Sequence, residues 1–341
     1  MSNETKAKTL QRAKPRIKWY RSPVDRESLN EFARKSDLKG FLQAGGHLAL
    51  LGLTGTFAWL AVGRLAWPWV ALIIFVHGTF YAFLLNGLHE LVHGTVFRTK
   101  RLNQVFLWIY SFLCGFNSTW FWASHTEHHK YTLHPPDDLE VTLPMPLSLK
   151  GFLVHSFVDP IGFAQTLWFH IRFSCGYFTG VWDIALFPAS DPAKRRPVIW
   201  RSRSLLIWHG LLMGIAIYLD LWLLPVLITF GPYYGRWLMY LCNNTQHAGL
   251  VDNVTDYRLC CRTITLNPFV QFLYWHMNYH TEHHMYASIP CYNLGKLHRT
   301  IKHDLPYCPK GLFATWTQII RILKQKKLEP DYQYIAELPT P

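Results

Sequence analysis

Two long stretches of the chain carry no charge. Between Lys39 and Arg64 lie 24 residues, Gly40 to Gly63, free of Lys, Arg, Asp and Glu, and Leu65 to His89 adds 25 more. Each exceeds the roughly 18 apolar residues that suffice to cross hydrocarbon. Only Arg64 separates them, so they read as a membrane hairpin with a very short turn. A second pair is predicted between Ser204 and Cys242, where Asp220 and Arg236 are the only charges in 39 residues. Core helices of a soluble protein are the competing reading, but apolar runs of this length are rare there. The pattern predicts an all-α integral membrane protein with four transmembrane helices in two hairpins.

Composition agrees. Half of the 341 residues are apolar, and 16% are charged, against about 25% in an average soluble domain. Disorder, collagen and coiled coil are thereby excluded. The seven cysteines form no CxxC pair and are odd in number, which points to a reducing compartment rather than a disulfide scaffold. The formal net charge of +13 suits either nucleic acid or one face of a membrane, and its distribution decides. Eleven basic residues precede Gly40: Lys6, Lys8, Arg12, Lys14, Arg16, Lys18, Arg21, Arg26, Arg34, Lys35 and Lys39. Nearly all the others follow one of the two hairpins. Translocated loops avoid Lys and Arg, so both termini and the long middle and C-terminal segments are expected on the cytoplasmic side. The charge reports orientation, beside anionic headgroups, and no nucleic-acid partner is expected. The N-terminus has no apolar signal-peptide core.

Histidine supplies the candidate chemistry. Three clusters stand out among 18 histidines: His89-Glu-Leu-Val-His93, His125-Thr-Glu-His128-His129 and His280-Thr-Glu-His283-His284. The third repeats the second letter for letter, 155 positions later. Residues at i, i+3 and i+4 share one helix face, and imidazole is the commonest metal ligand. Eight box histidines exceed what one ion takes, so they ask for two metals with positions left open, iron first among the candidates. If the first two clusters share a site, the apolar segment Leu102 to Ser124 between them cannot cross the bilayer. It should dip in and return, or lie at the interface. The carboxylates inside the boxes, Glu90, Glu127 and Glu282, are expected to accept the second N–H of ligand imidazoles.

These motifs resemble the membrane fatty acid desaturase and hydroxylase superfamily, whose signature is HxxxH, HxxHH and HxxHH at the cytoplasmic ends of four transmembrane helices. The resemblance runs from about Gly40 to His303, with Asn278-Tyr279-His280 and Tyr292-Asn293-Leu294 similar to a bacterial-type desaturase tail. It implies a cytoplasmic helical cap carrying a di-iron site. It also implies a ninth ligand after the fourth helix and an asparagine holding a metal-bound water, which Asn243-Asn-Thr-Gln-His247 fits. Carried over residue by residue, His89, His93, His125, His128, His129, His247, His280, His283 and His284 would bind two ferrous ions, with Asn243 acting through water. The expected organisation is a basic cytoplasmic segment (1–39), a desaturase-like domain (40–303) and a cytoplasmic tail (304–341). The expected setting is a bacterial inner membrane or the endoplasmic reticulum.

Such a centre uses O2 and two electrons to attack an unactivated C–H bond, giving a double bond or an alcohol. Desaturation of a fatty acyl group is the expectation from the resemblance. The acyl group would come from membrane lipid, coenzyme A or a carrier protein. A hydroxylase, or another oxidase on a small non-lipid metabolite, is the alternative, and a membrane zinc hydrolase or metal transporter is a distant third. The sequence holds no His-Pro-Gly-Gly haem motif and no GxGxxG, so electrons are expected from a separate ferredoxin or cytochrome b5 with its reductase. Trp59, Trp67, Trp69, Phe75, Phe80, Phe83 and Leu84 are expected either to line a substrate tunnel or to serve as core and interface anchors.

Overall fold

The computed structural model describes residues 3–10, 14 and 16–339. Arg12 and the side chain of Lys8, two of the basic residues that argue for a cytoplasmic N-terminus, lie outside the described residues. Among the described residues the backbone forms helices joined by turns, with isolated β-bridges and no strand.

The first uncharged stretch becomes α1 (Asp37–Ala61), begun by the Ser36 hydroxyl accepting the Lys39 amide. The second becomes α2 (Trp67–Val92), with Pro68 in its first turn, where a missing N–H costs nothing. Both are long and apolar enough to cross a membrane. They pack side by side, and Leu53, Phe57 and Leu72 face outward. Polar groups between them find partners inside the protein, as hydrocarbon surroundings require. His77 sits between the Thr54 hydroxyl (2.8 Å) and the Leu227 carbonyl (3.1 Å). His47 sits between the Phe80 carbonyl (3.0 Å) and the Trp275 indole N–H (3.0 Å). These isolated histidines therefore serve packing. Of the aromatics expected at a tunnel or an interface, Trp59, Trp67 and Trp69 are 44%, 62% and 60% exposed on the outer surface, whereas Phe83 and Leu84 are fully buried in the core.

Helices α3 (Lys100–Cys114) and α4 (Ser118–Tyr131) form the segment expected to dip and return. Gly115 ends α3 at φ 55°, a left-handed turn that favours glycine. Asn117 then caps α4 by accepting the Trp120 amide. The chain turns back, and the His125 ring comes within 5.1 Å of the His93 ring. Helix α3 can lie against α2 only because Gly87 lacks a side chain, since a Cβ there would stand 2.3 Å from the Tyr110 ring.

After α5 (Pro160–Ser174), capped by Asp159, comes α6 (Pro192–Tyr218), capped by Asp191. These two pack along each other. The return limb of this second hairpin differs from the expected single helix. Residues 223–243 form a short helix Leu223–Leu227, a 3-10 turn Gly231–Tyr233 and α7 (Trp237–Asn243). Pro225 and Pro232 each lack the amide hydrogen that a continuous helix needs. Beyond α7, the helices α8 (His280–Met285) and α9 (Cys291–Ile301) close over the box-bearing end of α2, and α10 (Gly311–Leu328) packs against α7 and the turn after it. The C-terminal segment is anchored rather than loose: the Trp316 indole donates to the Leu241 carbonyl (3.1 Å), and Arg258 bridges Asp256 and Asp304.

Candidate metal centre

Four elements deliver the box histidines to one buried volume. His89 lies in the last turn of α2 and His93 follows as its cap; His125, His128 and His129 occupy the second half of α4; His280, His283 and His284 make up half of α8. His247 comes from the turn after α7. The nine rings sort into two groups, His89, His93, His125, His129 and His283 in one and His128, His247, His280 and His284 in the other. Within each group the potential ligand nitrogens lie within 4.8 Å of one another. The groups adjoin where the His129 and His284 rings stack at 4.4 Å.

The outward nitrogens fix which way the lone pairs point. The His247 Nδ1–H donates to the Cys260 carbonyl at 2.7 Å, which leaves its Nε2 as a bare acceptor facing His280 Nε2 at 2.9 Å. His128 Nδ1 meets Asp138 at 2.8 Å, His125 Nδ1 meets Glu140 at 2.7 Å, and His89 Nδ1 meets Glu90 at 3.2 Å. The Thr132 hydroxyl donates to the His128 carbonyl, so its oxygen can accept from His284 Nδ1 at 3.1 Å. Inside, His129 Nε2 faces both His125 Nε2 (2.9 Å) and His283 Nε2 (3.2 Å), and His280 Nε2 also faces His284 Nε2 (3.1 Å). His247, His125 and His284 are held at Nδ1, which leaves their Nε2 lone pairs facing inward, and the buried His93 Nε2 and His280 Nδ1 have no hydrogen-bond partner among the described residues. Converging lone pairs of this kind are the donor set of a cation site, and the residues fit two imidazole-bound metal ions.

Electrostatics agree. Burial, reinforced by the neighbouring rings, holds His125, His129, His280, His283 and His284 well below the ordinary imidazole range. Burial lowers His247 to about 3. These rings are neutral, the form that binds metal. His128 is the exception: burial pushes it down, but the Asp138 carboxylate more than offsets this and raises it. Asp138 itself is fully buried and held low by His128 and the backbone N–H groups of Leu133 and Glu140. Burial raises Glu140, which also accepts from the Ser124 hydroxyl at 2.6 Å.

Of the three box carboxylates, Glu90 takes the place expected of it and Glu127 and Glu282 do not. Glu90 does lie against the cluster, with His89 at 3.2 Å and His283 Nδ1 at 3.5 Å. Glu127 instead pairs with Lys14 (3.1 Å) and Lys130 (2.8 Å). About 100° around the helix from His128, its carboxylate emerges on the outer face of α4, where two cations meet it. Glu282 points away from the metal-facing rings toward α9, bonding His298 Nδ1 and the Thr263 hydroxyl. The groups that hold the imidazoles are Asp138 and Glu140, in the loop after α4. Asp138 closes the run His134-Pro-Pro-Asp-Asp138, which has the composition of a turn and no spacing that marks an imidazole partner. Asn243 sits beside the site, its Oδ1 accepting from the Asn86 side chain at 3.0 Å, three residues before His89.

Below the rings lies a cavity of about 490 Å³, walled by Tyr81, Leu85, Phe116, Met239 and Tyr240 among others. Leu85 shares a helix face with His89, and Met239 with Asn243. The Phe116 ring touches Phe121 (5.8 Å), which stacks on His125 (5.1 Å). No clustered histidine lines the cavity itself; Leu85 and Met239 bring its wall to within one helix turn of His89 and Asn243.

A family model for fatty acid desaturase matches residues 65–316. A fatty acid desaturase 2-like protein of Mus musculus is 24% identical over 337 residues, covering 88% of this chain and 64% of its own. An acyl-lipid (9-3)-desaturase of Physcomitrium patens is 23% identical, with 70% and 49% covered. A Delta(6)-fatty-acid desaturase of Caenorhabditis elegans is 21% identical, with 69% and 60% covered. The chain thus spans between half and two thirds of the length of these relatives. With all three histidine boxes inside the matched region and converging in space, the chain belongs to the fatty acid desaturase family.

Proposed function

We propose that this chain is an O2-dependent di-iron oxidoreductase that introduces a double bond into a lipid acyl chain. The observation that carries the reading is the convergence of nine buried or half-buried imidazoles in two groups, one helix turn from the wall of a cavity of about 490 Å³. One iron would be held by His89, His93, His125, His129 and His283. The other would be held by His128, His247, His280 and His284, with Asn243 holding a bound water. Two irons held there would supply, with O2 and two electrons, the chemistry needed to remove two hydrogens from adjacent carbons.

The chain's own residues do the rest. Asp138, Glu140 and the Cys260 carbonyl hold His128, His125 and His247 by Nδ1–H, so their Nε2 atoms point inward. Tyr81, Leu85, Phe116 and Met239 exclude water and seat an apolar chain below them. Positioning of the carbon decides the product.

The proposed topology has four spans: α1, α2, the apolar part of α6, and a broken return limb through residues 223–243. The cap and both termini would be cytoplasmic, in a bacterial inner membrane or the endoplasmic reticulum. Segments 1–39 and 304–341 would flank the desaturase domain at 40–303 and brace it. Electrons would come from a ferredoxin or from cytochrome b5 with its reductase.

Metal analysis and O2 uptake of the detergent-purified protein, supplied with such a donor and acyl lipid, test this. Iron at about two per chain, following from two ligand sets, with a product lighter by two hydrogens, is the expected result. Gain of one oxygen would make the enzyme a hydroxylase, and zinc without O2 uptake would overturn the reading.

A further inference from the structure

A second cavity opens beside the first. It encloses about 240 Å³ between α5 and α6, walled by Leu167, Leu205, Leu206, Gly210, Met213 and Phe230. Thr166 and Tyr233 line both this outer cavity and the inner one under the histidines. The two spaces are therefore separated by one side-chain partition. The Thr166 hydroxyl donates to the Gly162 carbonyl (2.8 Å), and the Tyr233 ring packs edge-on against Phe163 at 5.3 Å. Its hydroxyl lies 3.7 Å from where a Cβ on Gly115 would stand, at the turn between α3 and α4.

The outer cavity faces an apolar part of the surface. Leu167 and Gly210 at its rim are exposed, and Trp168, Trp208 and Leu211 beside it are 65%, 57% and 50% exposed. Gly210 lies seven residues beyond the exposed Arg203 on α6, which at helical rise is about 10 Å deeper. That is the depth of acyl chains when the basic end of α6 lies at headgroup level. The charges on the inner cavity's wall are already neutralised, since Asp159 is held by Arg236 (2.6 Å) and His155 (3.0 Å). An apolar chain would thus meet no unpaired charge along the path, although the uncharged Gln165 also lines the inner cavity.

We infer that the gap between α5 and α6 is a lateral portal. Through it the acyl chain of a membrane lipid passes from the cytoplasmic leaflet, past Tyr233 and Thr166, to the inner cavity. The inference rests on the desaturase reading and the proposed topology, and adds that the substrate is drawn from the bilayer. The contrasting route is a basic cavity on the opposite side of the clusters, where Lys14, Arg16, Lys18, Arg21 and Lys130 surround the edges of His93, His129 and His284. A water-soluble thioester would use that side.

The test is photolabelling of the iron-loaded protein in vesicles, with a phosphatidylcholine carrying a mid-chain diazirine in one arm and the matching acyl-coenzyme A in the other. Labelled residues are read by peptide mass spectrometry. The lipid probe is expected to mark Leu206 or Met213 and also Tyr81, Phe116 or Met239. Gly210→Trp places a ring in the portal, where a Cβ meets nothing within 4 Å. It should cut inner labelling by lipid about tenfold, the loss for an occupant weakened by roughly 1.4 kcal/mol, with iron content unchanged. Met213→Trp blocks the same space from the next turn and serves if Gly210→Trp loses its iron. Tyr233→Ala should speed inner labelling. Inner labelling from lipid that neither tryptophan reduces, inner labelling from the thioester alone, or none at all would overturn the portal. If the lipid labels both cavities but the protein binds no iron, the desaturase reading fails and the portal stands. If iron and turnover are present with thioester only, the portal fails and the desaturase reading stands.

Discussion

A ligand histidine is only as good as the group behind it. Asp138 accepts from His128 Nδ1 and from two backbone amides with no exposure to solvent, and Glu140 does the same service for His125. Asp138→Asn and Glu140→Gln should each weaken iron binding about 10- to 100-fold, the usual cost of losing such a partner. Glu127→Gln, whose carboxylate meets Lys14 and Lys130 at a partly exposed site, should leave iron affinity within about twofold, since pairs of this kind contribute at most about 1 kcal/mol. Competition titration against a chromophoric chelator measures all three. The ordering also marks where sequence reading stops. Spacing along a helix brings His125, His128 and His129 to one face, so the boxes were legible. Whether a neighbouring carboxylate points inward depends on a loop whose path no local periodicity encodes. Glu127, one residue from a ligand, was therefore assigned the role that Asp138 performs.

At the scale of elements, α2 is both a candidate span and the carrier of the first box, so its seating on α3 sets the height of His89 and His93. Gly87 allows that seating. Gly87→Leu would drive a side chain into Tyr110 and Trp275, the latter with its nearest ring atom 2.6 Å from an ideal Cβ. The expected result is a loss of several degrees in thermal midpoint in detergent, since overpacking costs about 1–3 kcal/mol or more, with iron loss accompanying it. Uncharged length made α1 and α2 legible at once. The limb after α6 was read as one helix because Asp220 and Arg236 alone interrupt its apolar run, and hydropathy does not register Pro225 and Pro232. Those two residues break hydrogen bonding without lowering apolarity, and the limb becomes two short helices and a turn.

For the molecule as a whole, orientation is the property on which site, portal and electron supply all depend. The positive-inside argument puts the Arg64 turn on one side of the membrane and the helix-rich cap on the other. Cys175, exposed in the turn after α5, is a native reporter for the cap side; the other six cysteines are buried or half-buried. In intact cells a membrane-impermeant maleimide should leave Cys175 unmodified until the membrane is permeabilised. In an Arg64→Cys variant it should label the introduced thiol at once. Arg64 is exposed, and its guanidinium only bonds back to the Leu60 carbonyl of its own helix, so the change costs the fold little. Labelling of Cys175 without permeabilisation would invert the topology. It would also place the histidine clusters, and the basic cavity whose wall includes His93, His129 and His284, out of reach of a cytoplasmic electron donor. With the expected pattern, the cap, the basic cavity and the donor share one compartment. The α5–α6 gap then opens into the leaflet on that same side, so electrons and acyl chain reach the clusters from different directions.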